Sequence, residues 1–363
     1  MDFQYGSEHD EFRESLRRFL LHQSPPSRVR KVAACDGHDP PLWQRLCRDL
    51  EVPGLHIAAA YGGTGGSLVV STIASEELGR ALSPVPLLST TLAVEAVLRM
   101  GDEEQRCRLL PDLISGERIG TLAAVDPKAA RAPIVLAESV GGRTVLTGEC
   151  TPVLHGAVAD LFVVPAASDA AVTPYVVAAD APGVTVVSLP SFDSTRPVVK
   201  LQFAQAPAEA LSAGTPDDFE RVLDVARILL AAEMLGGAEA CLALAVDYAK
   251  SRHQFDRPIG SFQAVKHSCS DMMIEIDATR AMVMFAAMSA DDVTELKING
   301  PLAKAQAADT FRQCAGSAIQ IHGGIAFTWE HDLHLYFRRA QTSAALFGSS
   351  AFNRSLVADR AGL

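Results

Sequence analysis

The feature that most constrains the fold is one long apolar segment, residues 226–249. Its length would span a bilayer, but it carries Arg227, Glu233, Glu239 and Asp247, and charged side chains near the centre of a bilayer are costly. The segment therefore predicts a long helix buried inside a water-soluble protein, without membrane insertion. Other helices must surround it to cover its apolar surface.

The rest of the chain divides into two helical regions and one β-rich region. Apolar residues recur at helical spacing in the first part of the chain, over residues 8–22, 42–50, 68–82, 92–100 and 102–115. Short runs rich in Val and Thr, punctuated by Pro and Gly, predict strands between residues 120 and 208. The helical pattern then returns over residues 217–251, 261–290, 301–322 and 332–346.

This order predicts an α+β fold that is mainly α. We expect three domains: an N-terminal α-helical domain (1–118), a middle β-barrel-like domain (119–213) and a C-terminal four-helix bundle (214–363).

Charge and cysteine content narrow the function classes. The net charge of −11 would repel nucleic acid and anionic membrane surfaces. The N-terminus lacks the basic and apolar regions of a signal peptide. Seven cysteines are scattered without a C-x-x-C pair, which argues against a disulfide framework or a metal site. These features predict a cytoplasmic protein with neither a nucleic-acid partner nor a bound metal.

Two segments of the C-terminal region carry a family resemblance. The sequence YAKSRHQFDRPIGSFQ occupies residues 248–263, and QIHGGIAF occupies residues 320–327. Together with the order of helices, β-domain and helices, they resemble the acyl-CoA dehydrogenases over essentially the whole chain. The resemblance implies an oxidoreductase with the acyl-CoA dehydrogenase fold, FAD as cofactor, an acyl-CoA substrate and a role in fatty acid β-oxidation.

The residue types in both segments suit a cofactor that carries a pyrophosphate. A guanidinium offers paired donors to phosphate oxygens, and glycines let backbone N–H groups approach closely. Alone, an Arg after a helix is usually a solvated charge and a Gly-Gly pair is usually a helix stop. The resemblance assigns contacts with FAD held mainly by the neighbouring subunit to Arg252, His253, Gln254, Gln263, Gln320, Ile321, His322, Gly323 and Gly324. The third glycine of the second segment is replaced by Ala326.

The catalytic base of the family is missing from both of its usual positions. In acyl-CoA dehydrogenases a carboxylate removes the proton α to the thioester carbonyl while a hydride moves to flavin N5. Those positions here hold Phe347 and Ala226, which cannot accept a proton. Such a base typically contributes about 10²–10⁴ in rate. Glu233, two helical turns and about 10 Å beyond Ala226, is a weak substitute candidate, with Glu239 as its neighbour.

The flavin cradle of the family is degraded as well. Its Thr-Glu-Pro segment is replaced here by residues 125–132, and its Trp-Ile-Thr segment by Pro152, Val153 and Leu154. The half of a flavin pocket that serves a neighbour thus survives while the active-site half is lost. This pattern resembles the catalytically incomplete subunit of actinobacterial heterotetrameric acyl-CoA dehydrogenases, some of which act in steroid catabolism.

The leading hypothesis is therefore a subunit for α,β-dehydrogenation of a fatty or steroid side-chain acyl-CoA. It would complete the FAD site of a homologous, base-bearing partner chain, contact that chain through bundle helices, and pass electrons to an electron-transfer acceptor. One alternative is a self-sufficient homo-oligomeric dehydrogenase that uses an unusual base such as Glu233. The other is a flavin-free scaffold protein of the same fold.

Overall fold

The structure is a computed structural model that describes residues 5–124, 135–168 and 172–363. Its N-terminal region contains the helices α1 (Ser7–Gln23), α2 (Pro26–Ala33), α3 (Pro40–Leu50), α4 (Leu68–Arg80), α5 (Leu87–Met100) and α6 (Glu103–Ser115). Local signals explain two helix starts. The Asp39 carboxylate accepts the N–H of Leu42 at the start of α3, and Asp102 forms a capping box with Gln105 at α6.

The middle region forms one sheet from the strands β1 (Gly120–Leu122), β2 (Leu136–Val140), β3 (Arg143–Leu154), β4 (Leu161–Ala167), β5 (Val172–Ala178), β6 (Val184–Leu189), β7 (Val198–Pro207) and β8 (Glu209–Ala210). The hydrogen-bonded order is β6-β7-β3-β2-β4-β5-β8, with β1 parallel to β4. Almost every residue of β4 is buried, which fits a strand covered on both faces.

The C-terminal region contains α7 (Pro216–Ser251), β9 (His253–Gln254), β10 (Arg257–Pro258), α8 (Gln263–Met288), α9 (Val293–His322), α10 (Leu333–Ala345) and α11 (Ser350–Ala361). By length and composition α7 could cross a membrane, yet 72% of its most apolar window is buried inside the fold. The predicted buried helix is therefore confirmed. The predicted domain limits, residues 118 and 213, lie in connections between elements.

Several helix predictions were wrong in detail. Helix α9 begins at Val293 rather than near Pro301, because Asp292 caps the earlier start and Pro301 lies within the helix. The helix ending near residue 345 is not the last, since α11 follows it and is capped by the Ser349 hydroxyl. The eight-residue α2 was also missed, because a helix of two turns is too short to show a clear period.

Helix α7 packs in close backbone contact with α4. A Cβ added at Gly236 would lie 1.8 Å from the Glu76 carbonyl oxygen, and one at Gly79 would lie 2.1 Å from the Glu233 carbonyl oxygen. Only glycine allows two helices to approach this closely. The contact fixes the depth at which the middle of α7 lies in the molecule.

Candidate functional site

The first predicted flavin segment lies at the C-terminal end of α7, on the surface. The N–H of Arg252 donates to the Tyr248 carbonyl oxygen at 2.8 Å and ends the helix. The Arg252 guanidinium is exposed and has no hydrogen bond or ion pair with any residue that the structure describes. His253 and Gln254 follow in β9 and are exposed, and their side chains bond to neighbouring backbone carbonyl oxygens. A guanidinium left free in this way can receive an anionic group.

A strained two-residue turn joins β9 to β10. Its residues, Phe255 and Asp256, have φ values of +53° and +60°. Two-residue hairpin turns with positive φ at both positions normally contain Asn-Gly, so this pair is held in an uncommon conformation. The turn presents the Phe255 ring to solvent, 86% exposed. Phe255 was not among the predicted site residues, although an apolar residue in a tight turn was the available signal.

The second predicted segment follows the last turn of α9, where Gln320 is exposed and Ile321 is half-buried. Gly323 has a φ of +67° with a ψ of −144°, a conformation that is open to glycine and almost no other residue. A Cβ built at Gly323 or Gly324 would meet no atom within 4 Å, so the backbone is open on that side. Ala326, which replaces a family glycine, is buried and so leaves the exposed backbone unobstructed.

Aromatic stacking holds the two segments together. The rings of Tyr248 and His322 stack with centroids 4.3 Å apart and an interplanar angle of 20°. His331 packs edge-on against His322 at 4.7 Å. Burial lowers the pKa of His322, so at neutral pH the stacked ring is uncharged. Gln263 lies outside this stack, as the first residue of α8. It is exposed, and its side-chain amide has no hydrogen-bond partner in the described chain.

The two family base positions lie in the main apolar core. Ala226 is 0% exposed and Phe347 is 1% exposed. The backbone around Phe347 is pinned, because the Asn353 amide donates to the Phe347 carbonyl oxygen at 3.2 Å. The Lys304 ammonium donates to the carbonyl oxygens of Ala344 and Gly348. Burial lowers the pKa of Lys304 to about 7.

The substitute base candidates are both ion-paired. Glu233 accepts hydrogen bonds from Arg196 and, at 2.8 Å, from Arg339, which also binds Asp193. Burial would raise the pKa of the Glu233 carboxyl, but the Arg196 and Arg339 guanidinium groups hold it below its usual range. Glu239 pairs with two other arginines, Arg80 at 2.9 Å and Arg280. A carboxylate neutralised in this way is a weak proton acceptor.

The space beside Glu233 is too small for an acyl chain. A cavity of about 20 Å³ lies between α4, α5, α7 and α10, with room for about one water molecule. His155 lines it, accepts or donates one hydrogen bond with Ser89 through Nδ1 at 2.7 Å, and leaves Nε2 without a partner among the described residues. Burial, reinforced by Arg196, holds the pKa of His155 well below its usual value.

The positions of the family flavin cradle are equally unsuited to hold a ring. Pro152, Val153 and Leu154 end β3; Val153 and Leu154 are buried, and Pro152 has no N–H. The Leu154 carbonyl oxygen is already bonded by the Thr121 hydroxyl at 2.7 Å. The segment at residues 125–132, which replaces the family Thr-Glu-Pro, lies outside the described residues.

The predicted site residues thus fall into two places that differ in chemistry. The surface segments fit a pyrophosphate, since they offer an unpaired guanidinium and two glycines whose backbone is open to solvent. The interior positions do not fit an isoalloxazine ring or a thioester, because apolar side chains and a buried ion-pair network fill them.

Comparison with known proteins agrees with the sequence resemblance. Residues 6–117 match the acyl-CoA dehydrogenase N-terminal domain, and residues 216–362 match the acyl-CoA dehydrogenase C-terminal domain. The chain is similar to the acyl-CoA dehydrogenase IpdE2 of Mycobacterium tuberculosis, with 38% identity over 338 residues that cover 93% of this chain and 92% of the relative.

Two solved structures have the same architecture. A variant of the Tcur3481–Tcur3483 steroid ACAD superposes with a TM-score of 0.90 at 29% identity and covers 98% of each chain. The ChsE4–ChsE5 complex from Mycobacterium tuberculosis superposes with a TM-score of 0.91 at 28% identity, covering 100% of this chain and 99% of the other.

Proposed function

The chain belongs to the acyl-CoA dehydrogenase family, and on that premise we propose that it completes the FAD site of a homologous, base-bearing partner chain. Together the two chains would dehydrogenate a fatty or steroid side-chain acyl-CoA at the α,β position. Members of this family are FAD-dependent flavoproteins. The steroid branch of the proposal is supported by the likeness to a steroid ACAD, and the heteromer by the likeness to the ChsE4–ChsE5 complex.

One observation carries the proposal. The residues that can bind a cofactor, led by Arg252 and Gly323, face solvent, whereas the residues at the base positions, Ala226 and Phe347, are buried in the apolar core. A chain that acted alone would need a carboxylate and space for a thioester in its interior. Neither is present among the described residues at those positions.

In the proposed complex this chain helps to bind and orient FAD but transfers no proton. FAD, when bound, supplies the hydride acceptor. Arg252 would pair with pyrophosphate oxygens. The Gly323 N–H already donates to the Ile319 carbonyl oxygen, so the Gly324 N–H would be the backbone donor at the same end of the cofactor. The Tyr248–His322 stack would hold these donors in a fixed arrangement, which lowers the entropic cost of binding.

Exposed apolar side chains on α8 and in the flavin segments would contact the partner chain. On α8, Ile274 is 62% exposed and Met273 is also exposed; Phe255 and Phe327 are exposed within the two flavin segments. Large exposed apolar side chains are candidates for an interaction site on a soluble protein. Covering them with a homologous chain would bring its FAD to Arg252.

The test is co-expression with a homologous chain that has Glu at the position of Phe347. We expect little FAD in the lone chain, and a yellow complex that reduces an artificial electron acceptor with acyl-CoA substrates. Absorbance gives the flavin content per chain. Near-stoichiometric flavin in the lone chain would contradict the proposal, and turnover by the lone chain that is lost in Glu233→Gln would favour the homo-oligomeric alternative. A complex without flavin would favour the scaffold.

A further inference from the structure

We propose that the chain has a second binding site, for a small neutral apolar molecule with one alcohol or ketone oxygen. The site is a cavity of about 270 Å³ where the N-terminal helices meet the bundle. Helix α1, α2, the end of α4, the second half of α7 and the start of α10 form its walls. This site is independent of the proposed flavin role, because none of the predicted flavin or base residues lines it.

Small side chains and a chain break create the cavity. Where the second half of α7 faces it, the wall is made by Ala240, Ala243 and Leu244, so two methyl groups stand where larger side chains would close the gap. On the opposite side, Pro25 and Pro26 separate α1 from α2 and keep the two helices from merging into one rod. The small alanine side chains and the proline pair together therefore leave this cavity open.

The walls are apolar. Leu20, Val29 and Leu82 are buried side chains that border the space, and Leu21, 68% exposed, stands at its edge. The Tyr336 hydroxyl is already used, since it donates to the Arg80 carbonyl oxygen at 2.7 Å. An occupant would therefore meet hydrocarbon on most sides.

The charged groups at the cavity are neutralised within the chain. The Arg17 guanidinium binds both oxygens of Glu77, at 2.8 and 2.6 Å. Arg80 binds Glu239 at 2.9 Å, and the Asp332 carboxylate binds Arg30. Because no cation among the described lining residues is left unpaired, a carboxylate or phosphate on the ligand would gain no partner and would lose its hydration. These pairings select a neutral ligand.

One hydroxyl can orient such a ligand. The buried Ser24 Oγ accepts a hydrogen bond from the Ser83 hydroxyl at 3.2 Å, which leaves its own hydrogen to donate into the cavity. An alcohol or ketone oxygen is the matching acceptor. As for size, an apolar cavity of about 150 Å³ is enough to bind benzene, so this one suits a molecule nearly twice as large.

Binding of straight-chain alcohols to the full-length chain, isolated with its partner if they co-purify, tests the site. We expect saturable binding of 1-hexanol, 1-octanol and 1-decanol by calorimetry. The dissociation constant should fall about fourfold per added methylene until the cavity is full, and then level off. Decanoate at neutral pH should bind at least tenfold more weakly than 1-decanol. No saturable binding would overturn the proposal, and tighter binding of decanoate would overturn the neutral class.

Two variants locate the site. Ala243→Phe places a ring in the cavity and should weaken 1-decanol binding at least tenfold, whereas Ala361→Phe, on the exposed end of α11, should leave it unchanged. Thermal unfolding checks that Ala243→Phe folds. Leu21→Ser, at an exposed position, should weaken binding severalfold even if Ala243→Phe is unstable. Unchanged affinity in Leu21→Ser and in a folded Ala243→Phe would exclude this cavity.

Discussion

Helix α7 joins two regions of different character. At its C-terminal end Arg252 lies in solvent, without an ion-pair partner in the described chain. In its buried half, Arg227 binds Asp224 at 2.5 Å and Glu233 is held by two arginines. Charges at the surface end remain available to a ligand, whereas charges in the interior are used up in holding the fold. The comparison teaches that along this one helix, depth separates a charged residue that stays free from charged residues that are committed to ion pairs.

Returning a carboxylate to the interior should have the largest effect. Ala226→Glu should lower the free energy of unfolding by about 5 kcal/mol, because overpacking costs about 1–3 kcal/mol and burial of an unpaired polar group adds about 2–7 kcal/mol. Acyl-CoA turnover by the lone chain should stay absent. Urea unfolding measures the loss, with Ala361→Glu on exposed α11 as a nearly neutral control. A stable and active Ala226→Glu variant would contradict the conclusion that the interior of this chain cannot hold a catalytic carboxylate.

Arg339→Ala should be the next most damaging change. It leaves the buried Asp193 carboxylate without its main cation and Glu233 with one arginine, which typically costs about 3–5 kcal/mol. Arg338→Ala is the matched control. That side chain only covers the rings of Trp329 and Phe192, so its loss should cost about 1 kcal/mol or less. Equal losses for the two variants would contradict a structural role for the network.

At the surface end, substitution should affect the cofactor and leave the fold intact. Arg252→Ala should weaken FAD binding by the complex by about 1.5–3 kcal/mol, the typical contribution of one charge-assisted contact. Gln320→Ala should act in the same direction but less. Fluorescence titration of the complex with FAD measures both, with Arg312→Ala at an exposed position of α9 as control. An unchanged dissociation constant in Arg252→Ala would make that residue an ordinary surface charge.

Measuring the free energy of unfolding as a function of pH tests a buried charge of the interior, Lys304. Burial lowers the pKa of Lys304 to about 7, against about 10.5 in the unfolded chain, so the unfolded state binds more protons between these values. The contribution of Lys304 to stability should therefore rise with pH across that window, by at most about 1.4 kcal/mol per pH unit. Lys304→Met should remove this slope, whereas Lys266→Met at an exposed position should keep it. Identical slopes of stability against pH in both variants would contradict the assignment of this slope to Lys304.

The sequence predicted the fold class and the surface segments because both depend on short stretches of chain. Helical periodicity and two local motifs carry that information, and the acyl-CoA dehydrogenase fold is confirmed. The flavin contacts of Arg252 and its companions stay predictions.

The interior arrangement was harder to predict because it joins distant residues. Arg196 and Glu233 are 37 residues apart, and Glu233 and Arg339 are 106 apart. No pattern within one helix shows which arginine a buried carboxylate will meet. Glu233 as a substitute base stays a prediction, and its pairing with Arg196 and Arg339 is information that the residue type alone does not carry.

The length of α7 has a consequence for the flavin stoichiometry of the proposed complex. At 1.5 Å per residue, about 39 Å separates the level of Ala226 from Arg252 along one rigid rod, so the donors at its end cannot serve the interior of their own chain. In the proposed complex each copy would then contribute to one cofactor, anchored in the partner chain. An assembly of two such chains with two base-bearing chains would hold two flavins rather than four, a ratio that absorbance and quantitative amino-acid analysis measure directly.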